Sequence, residues 1–301
     1  MKAKHDLGRA SGKSLEDCHV LCYRRDARRS FSPYEDESYV IQVAGDVPVC
    51  IFGGQGWLTG LWRSPTGRVY LSASTSGAFV SKDSGSVAAG VFDNYPIGGC
   101  AGIWGLDDSF AVAWGGGFKN PPHMHRWDGG TWQPMPPPPA VVVDVHGVAP
   151  DLLYAVGMDG LIARWDGKAW TRVPSSVTWT ISGIHVAGPD EMYAVGHGAG
   201  VLVGSAYGWS EVLRARGPVT CVSKYQEDVY VGATFEGLSV LKGATLVPLR
   251  PDLQASGFDA RSGLLVSSPT DVAFSTDGNA FVTRDATTLG RCVEPWRASK
   301  R

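Results

Sequence analysis

Apolar and polar residues alternate in short runs along most of the chain, and the clearest example lies between residues 178 and 217. The alternation there predicts four strands, at 181–186, 191–195, 200–203 and 209–213. Glycines separate these runs, and they favour tight turns because glycine adopts positive φ with little strain. This stretch therefore predicts one small antiparallel sheet.

The same pattern recurs along the chain. Residues 153–157 and 192–196 align without gaps as a Tyr-Ala-Val-Gly element, lie 39 residues apart, and each follow a Pro-Asp turn. Related apolar runs are anchored at residues 70, 110, 230 and, more weakly, 272. A second marker, Trp-Asp-Gly followed by Trp, occurs at Trp127 and Trp165, and its tryptophan recurs at Trp209. A period of about forty residues with four short strands is typical of propeller blades.

We therefore predict an all-β fold, a single β-propeller of four-stranded antiparallel blades. Six anchors and an N-terminal stretch of blade length favour seven blades, with six as the alternative. We expect residues 1–13 to be a tail and 14–301 the propeller, with the N- and C-terminal segments jointly closing the ring. Because both ends are basic, their meeting predicts a positive seam.

The repeats resemble a family of bacterial propeller repeats with a Val-Trp-Gly, Tyr-Ala-Val-Gly and Asp-Gly-x-x-Trp consensus. The matching first elements are at residues 103–105, 145–147 and 184–186, and the resemblance is most specific across about 100–213. The segment 127–132, Trp-Asp-Gly-Gly-Thr-Trp, is more distantly similar to the photosystem II assembly factor propellers. The resemblance implies the fold strongly and the function weakly.

Composition supports the same architecture. The chain of 301 residues has 39 Gly, 11 Trp and 44% apolar residues, which excludes a disordered chain and favours many turns. The formal charge is −2, although the first 30 residues carry eight basic and four acidic side chains. Arg24, Arg25, Arg28 and Arg29 form a basic run, but the acidic remainder makes nucleic-acid binding an unfavoured reading.

The N-terminal sequence and the cysteines indicate where in the cell the protein is expected. No apolar run approaches the roughly 18 residues that span a bilayer, and the N-terminus lacks a signal-peptide core. Six scattered cysteines are read as reduced thiols. We expect a cytoplasmic protein without membrane contact.

A partner-binding surface is expected where loops between second and third strands gather with the loops between blades. Aromatic, Met and Arg side chains are common anchors of protein interfaces. The candidate residues are Trp114, Phe118, His123, His125, Met158, Asp159, Trp179, His197, Arg214, Arg216, Phe235 and Glu236. On the opposite side, acidic residues recur in the turns between first and second strands, at 107–108, 151, 190–191, 227–228 and 271, where Asp is favoured by turn chemistry.

Other candidate chemistry is weaker. His123, His125 and His197 lack the carboxylate or Cys that would complete a zinc site, and Cys18-His19-x-x-Cys22 has no second half. His146 and His185 are read as core histidines of first strands. The sequence therefore predicts no catalytic residues, no metal and no cofactor.

The favoured function is a non-enzymatic scaffold that binds a protein on its loop face, such as a toxin-neutralising immunity protein or an assembly factor. The alternative is a carbohydrate-binding or hydrolytic propeller with a site at the channel mouth, built from His123, His125, His197, Asp159 and Trp114. Glycoside hydrolysis needs two facing carboxylates, and the sequence offers no clear pair. No oligomeric state is predicted.

Overall fold

The computed structural model describes residues 3–26, 36–84, 92–117, 120–198 and 200–300. Within them the chain forms seven four-stranded antiparallel sheets, the blades of a seven-bladed β-propeller. The predicted fold class and the favoured blade number are confirmed. The chain divides into two compact units, Met1–Cys100 with Ser256–Arg301, and Ala101–Ala255.

The first unit contains three blades, each with its strands paired in chain order. Blade 1 consists of β1 (Ala3–Ser14), β2 (Asp17–Asp26), β3 (Glu37–Ala44) and β4 (Val47–Gln55). Blade 2 consists of β5 (Leu58–Arg63), β6 (Val69–Ala73), β7 (Gly77–Ser81) and β8 (Phe92–Tyr95). Blade 7 consists of β25 (Gly257–Ala260), β26 (Leu264–Ser267), β27 (Asp271–Ser275) and β28 (Val282–Asp285).

The second unit contains four blades with the same strand order. Blade 3 consists of β9 (Cys100–Asp107), β10 (Phe110–Gly115), β11 (His123–Trp127) and β12 (Trp132–Met135). Blade 4 consists of β13 (Val142–Ala149), β14 (Leu152–Gly157), β15 (Ile162–Trp165) and β16 (Trp170–Arg172). Blade 5 consists of β17 (Ile181–Gly188), β18 (Glu191–Gly196), β19 (Gly200–Ser205) and β20 (Gly208–Arg214). Blade 6 consists of β21 (Val219–Tyr225), β22 (Asp228–Ala233), β23 (Gly237–Lys242) and β24 (Thr245–Arg250).

The core lies between neighbouring blades, and this explains the apolar second strands. Tyr154 and Ile162 of blade 4 share one buried cluster with Ile181, Met192 and Leu202 of blade 5. A second strand is covered on both faces, so it needs apolar residues at successive positions rather than at alternate ones. The repeated Tyr-Ala-Val-Gly element is apolar at successive positions because it lies in these buried second strands.

The N-terminal segment departs from the expected tail of residues 1–13. Residues 3–13 lie in β1 of blade 1, and the two terminal segments form separate four-stranded sheets. Blades 1 and 7 meet instead through side chains, since Ser267 Oγ accepts from the Ala10 N–H at 3.0 Å and Ser11 donates to Asp259 at 2.6 Å. The anchor at residue 272 lies on the third strand of blade 7, not the second.

Two short helices follow blade 7. Helix α1 (Ala286–Gly290) begins at Asp285, whose side chain accepts the Thr288 N–H at 2.8 Å, and α2 is Val293–Ser299. Leu289 and Val293 are at most 1% exposed in a cluster with residues of blade 1. In the part of the chain that the structure describes, no helix has the length and apolar character needed to cross a membrane.

The expected positive seam is also wrong, because the basic side chains at the two ends are paired with carboxylates. Arg24 and Arg297 alternate with Glu37 and Glu294 in a four-residue network, with N–O distances of 2.6–3.2 Å. Burial opposes ionisation of Glu37, but hydrogen bonds from Arg297 and Tyr39 outweigh it and lower the pKa of that carboxyl. The network therefore fastens α2 to β2 and β3.

Arg297→Met is expected to loosen α2 by about 1 kcal/mol, a typical scale for a networked ion pair at a half-buried site. Because the pKa of Glu37 is lowered in the fold, the contribution is full at neutral pH and is lost as the pH falls below its usual value of 4.5. Hydrogen exchange of the α2 amides measures the effect. Arg291→Met, at an exposed position outside the network, is the matched control; equal exchange in both variants would refute the role of the network.

Candidate functional site

The candidate surface lies within the unit Ala101–Ala255, at the end of the blades where second strands finish. One backbone bond recurs there in blades 4, 5 and 6: the N–H after the second strand donates to the carbonyl before the first strand of the same blade. Met158 donates to Val141, His197 to Thr180 and Thr234 to Pro218, at 3.0–3.1 Å. We call residues 158–160, 175–180, 197–198, 215–218 and 234–236 the loop face. Its loops are thus fixed by repeated main-chain bonds.

The blade 4 loop is tied to the connection that leads into blade 5. Asp159 and Gly160 both have left-handed backbone, with φ of 54° and 62°. The Gly160 N–H donates to the Trp179 carbonyl at 3.2 Å, and its carbonyl accepts from the Ser175 hydroxyl at 3.0 Å. This turn presents the exposed Asp159 and the half-buried Met158 in one orientation.

Trp179 supports the blade 5 loop. Its indole lies against Gly196, Gly198 and Gly200, so closely that a Cβ at any of the three would overlap the ring. The glycine-rich segment is therefore explained by the tryptophan that it accommodates. The side chain is half-buried, and it supports the backbone on both sides of the exposed His197.

Phe235 is the most exposed apolar side chain of the loop face. It is 69% exposed, yet one side of the ring rests on Gly217, where a Cβ would overlap it. The adjoining Thr234 bonds the Pro218 carbonyl through both its N–H and its hydroxyl, at 3.0 and 2.9 Å. A large apolar ring is thus held outward on a fixed turn, which lowers the entropy lost when a partner covers it.

The two arginines differ in their surroundings. Arg214 forms two hydrogen bonds to Glu211, at 2.8 and 3.1 Å, and so its guanidinium is already engaged. Arg216 is exposed and makes no ion pair with any residue that the structure describes. Glu236, beside Phe235, is half-buried. Arg216 and Phe235 are therefore the side chains best placed to contact a partner.

Several expected site residues do not reach this surface. Trp114 is 2% exposed and packs over Gly102 in the core, which removes the aromatic platform of the carbohydrate-site alternative. His123 and His125 contact each other with ring centroids 5.8 Å apart, and burial followed by the His123 charge lowers the pKa of His125. Phe118 lies outside the described residues.

A metal site is not assembled among the described residues, where no group of three or more His, Cys, Asp or Glu is close enough to hold an ion. Cys18 and Cys22 are buried on β2, and burial raises the pKa of the Cys18 thiol to about 12. Such a thiol is inert at neutral pH. Both cysteines pack in the apolar cluster of blade 1.

First-strand histidines of this unit have packing roles. His146 stacks between Trp104 and His185, at centroid distances of 5.2 and 4.7 Å. Its Nδ1 accepts the Val186 N–H at 3.2 Å, which bonds blade 4 to blade 5 and leaves the proton on Nε2. The stack joins neighbouring blades.

The acidic turns are largely engaged locally. Asp107 accepts the Ser109 N–H at 2.8 Å, and Glu191 forms an ion pair with Lys224 at 2.8 Å. Hydrogen bonds from Lys224 and Tyr193 lower the pKa of Glu191. Asp271 differs from the others, because it follows the second strand of blade 7. These contacts favour turn chemistry over a free acidic surface.

One exposed aromatic residue was not among the candidates. Tyr207 is 91% exposed in the turn between β19 and β20, and it lines a cleft with residues of blade 4. The sequence does mark this residue, because an aromatic side chain is uncommon in a turn such as Ser-Ala-Tyr-Gly, which usually carries small or polar residues.

Comparison with known proteins supports the fold. No protein-family profile and no curated protein matches this chain by sequence. Among solved structures, the WD40 β-propeller domain of Doa1 is similar over 94% of each chain, with a TM-score of 0.66 and 10% identity. YCF48 bound to a D1 peptide matches 78% of this chain and 82% of its own, with a TM-score of 0.56 and 11% identity. YCF48 from Cyanidioschyzon merolae is similar over 78% of this chain and 86% of its own, with a TM-score of 0.53 and 14% identity. At such identities the likeness establishes the β-propeller fold, and the particular repeat family has no match.

Proposed function

We propose that the protein is a non-enzymatic scaffold that binds a protein partner through the loop face. The observation that carries the proposal is the rigidly supported Phe235, 69% exposed between Gly217 and solvent. A fixed aromatic anchor beside an arginine without an ion pair among the described residues is typical of an interface hot spot. A stable complex needs roughly 800 Å² from each partner, which several loops of neighbouring blades can supply together.

The finer proposal is a dedicated partner, as for a toxin-neutralising immunity protein or an assembly factor. YCF48, one of the similar structures, was solved with a peptide bound, which supports peptide or protein recognition on this fold. Both roles require area and complementarity rather than catalysis. They differ in outcome: an immunity protein abolishes the activity of its partner, whereas an assembly factor leaves the partner active once it is released.

The test is quantitative affinity capture from the native host, followed by titration of the captured partner. Phe235→Ser and Arg216→Ser are each expected to weaken binding at least tenfold, since central aromatic and arginine anchors contribute about 2 kcal/mol. Val247→Ser, an exposed position on β24, is the matched control and should bind normally. Failure to capture any stoichiometric partner would overturn the scaffold proposal, and equal binding by all three variants would overturn the loop face.

A further inference from the structure

A cleft of about 260 Å³ lies on the flank of blade 4, beside the β19–β20 turn of blade 5. Its lining includes Arg164 of β15, Thr171 and Arg172 of β16, Pro174, and the exposed Tyr207. The cleft is separate from the loop-face residues that carry the proposed function. Its dimensions suit one or two side chains of a bound chain.

Both arginines in the cleft lack a carboxylate partner among the described residues. Arg164 pairs across the sheet with Tyr154 on one side and Thr171 on the other. Its Nε is buried and has no hydrogen-bond partner in the described part of the chain, and the same holds for the hydroxyl of the fully buried Tyr154 beside it. Arg172 donates a hydrogen bond to the Asp159 carbonyl at 2.9 Å. A buried donor left without an acceptor is unfavourable.

Several arginines of the chain do have a carboxylate partner. In the other unit, Arg24, Arg63, Arg261, Arg284 and Arg297 each contact a carboxylate within 4 Å. Asp166 lines the cleft, but its carboxylate accepts the N–H groups of Lys168 and Ala169 at 2.9 and 2.8 Å. The pKa of Asp166 is lowered mainly by these N–H groups and further by the charge of Arg164. The cleft therefore offers guanidinium groups and positive charge to a ligand, with one carboxylate nearby.

We propose that this cleft binds an acidic side chain of an extended peptide segment. The guanidinium groups match a carboxylate in charge and planarity, and the exposed Tyr207 and Pro174 offer apolar contact to neighbouring residues of the segment. The nearby Asp166 disfavours a phosphate dianion more than a single carboxylate, by like-charge repulsion. The inference rests on the proposed function, because the protein partner supplies the carboxylate.

The probe is a fluorescein-labelled peptide amide of three Glu-Pro-Leu repeats, measured by fluorescence anisotropy on the full chain. We expect it to bind, and its Gln and Lys counterparts to bind at least tenfold more weakly. Arg164→Gln and Arg172→Gln should each reduce affinity about tenfold, and Tyr207→Ser several-fold. Arg126→Gln, an exposed arginine on β11, is the matched control and should leave affinity unchanged.

Arg172 is exposed, so its variant tests the cleft even if replacement of the partly buried Arg164 disturbs folding. Equal binding of the Glu and Gln peptides, or unchanged affinity in Arg172→Gln, would overturn the proposal. So would displacement of the peptide by micromolar inorganic phosphate, which would assign the cleft to phosphate ligands. Phe235→Ser should bind the peptide normally, so failure of the cleft and failure of the loop face give different results.

Discussion

Gly160→Ala is expected to destabilise the protein by about 3 kcal/mol or more. Gly160 has φ of 62°, which strains an alanine by about 1–2 kcal/mol. An added Cβ would also overlap the carbonyl of Val177, which is backbone and cannot turn aside. Overpacking of this kind typically adds 1–3 kcal/mol. The shift in the denaturant midpoint, with the slope checked, measures the loss.

Two further glycines separate the two causes. Gly243 has φ of 60° but open space around its Cα, so Gly243→Ala carries strain alone and should lose about 1 kcal/mol. Gly188 has neither positive φ nor a close neighbour, and its alanine variant should lie within about 0.5 kcal/mol of the parent. If Gly160→Ala and Gly243→Ala lost the same free energy of unfolding, the contact with the blade 5 connection would not be holding the loop.

The blade pattern could be predicted because burial between blades imposes it directly on the sequence. The expected strands of blade 5 coincide with β17–β20 to within a few residues. Blade 7 was misplaced by one strand because Pro269 and Asp271 imitate the Pro-Asp turn that elsewhere follows the first strand. In a short antiparallel sheet, successive apolar strands look alike, and only pairing distinguishes them.

The terminal elements were less accessible from sequence. Helices α1 and α2 have five and seven residues, too short to be stable without packing. Their stability comes from Leu289 and Val293 against blade 1 and from the Arg297 network, contacts between residues some 250 positions apart. No local pattern reports such contacts.

Residue type alone could not identify the exposed anchors. Trp114, Trp179 and Phe235 each pack on glycine, yet only Phe235 keeps most of its ring in solvent. The difference depends on how far neighbouring elements of the fold cover each ring. Likewise Arg164 and Tyr207 meet only because the β19–β20 turn of blade 5 lies beside the outer strands of blade 4.

Acidification from pH 6.5 to 4.5 is expected to destabilise the fold by about 4 kcal/mol, because the buried His19 and the half-buried His185 are held in their neutral form. Burial, reinforced by Arg63 and opposed by Asp17, lowers the pKa of His19 to about 3. Burial lowers the pKa of His185 to about 4, with Glu191 and Lys224 acting in opposite directions. Each pKa lies below its unfolded value of 6.5, so the unfolded chain binds more protons in this window. Stability is therefore full above pH 6.5 and is lost as the pH falls towards 4.

His19→Leu isolates one of the two groups. His19 is 1% exposed on β2, and neither ring nitrogen has a partner among the described residues. Leucine removes both the buried polar atoms and the proton-linked loss, so the variant should be at least as stable as the parent at pH 7 and about 2–3 kcal/mol more stable at pH 4.5. His197→Leu, on the exposed loop of blade 5, is the control and should follow the parent curve. Parallel curves for parent and His19→Leu across this range would mean that His19 is not held neutral by burial.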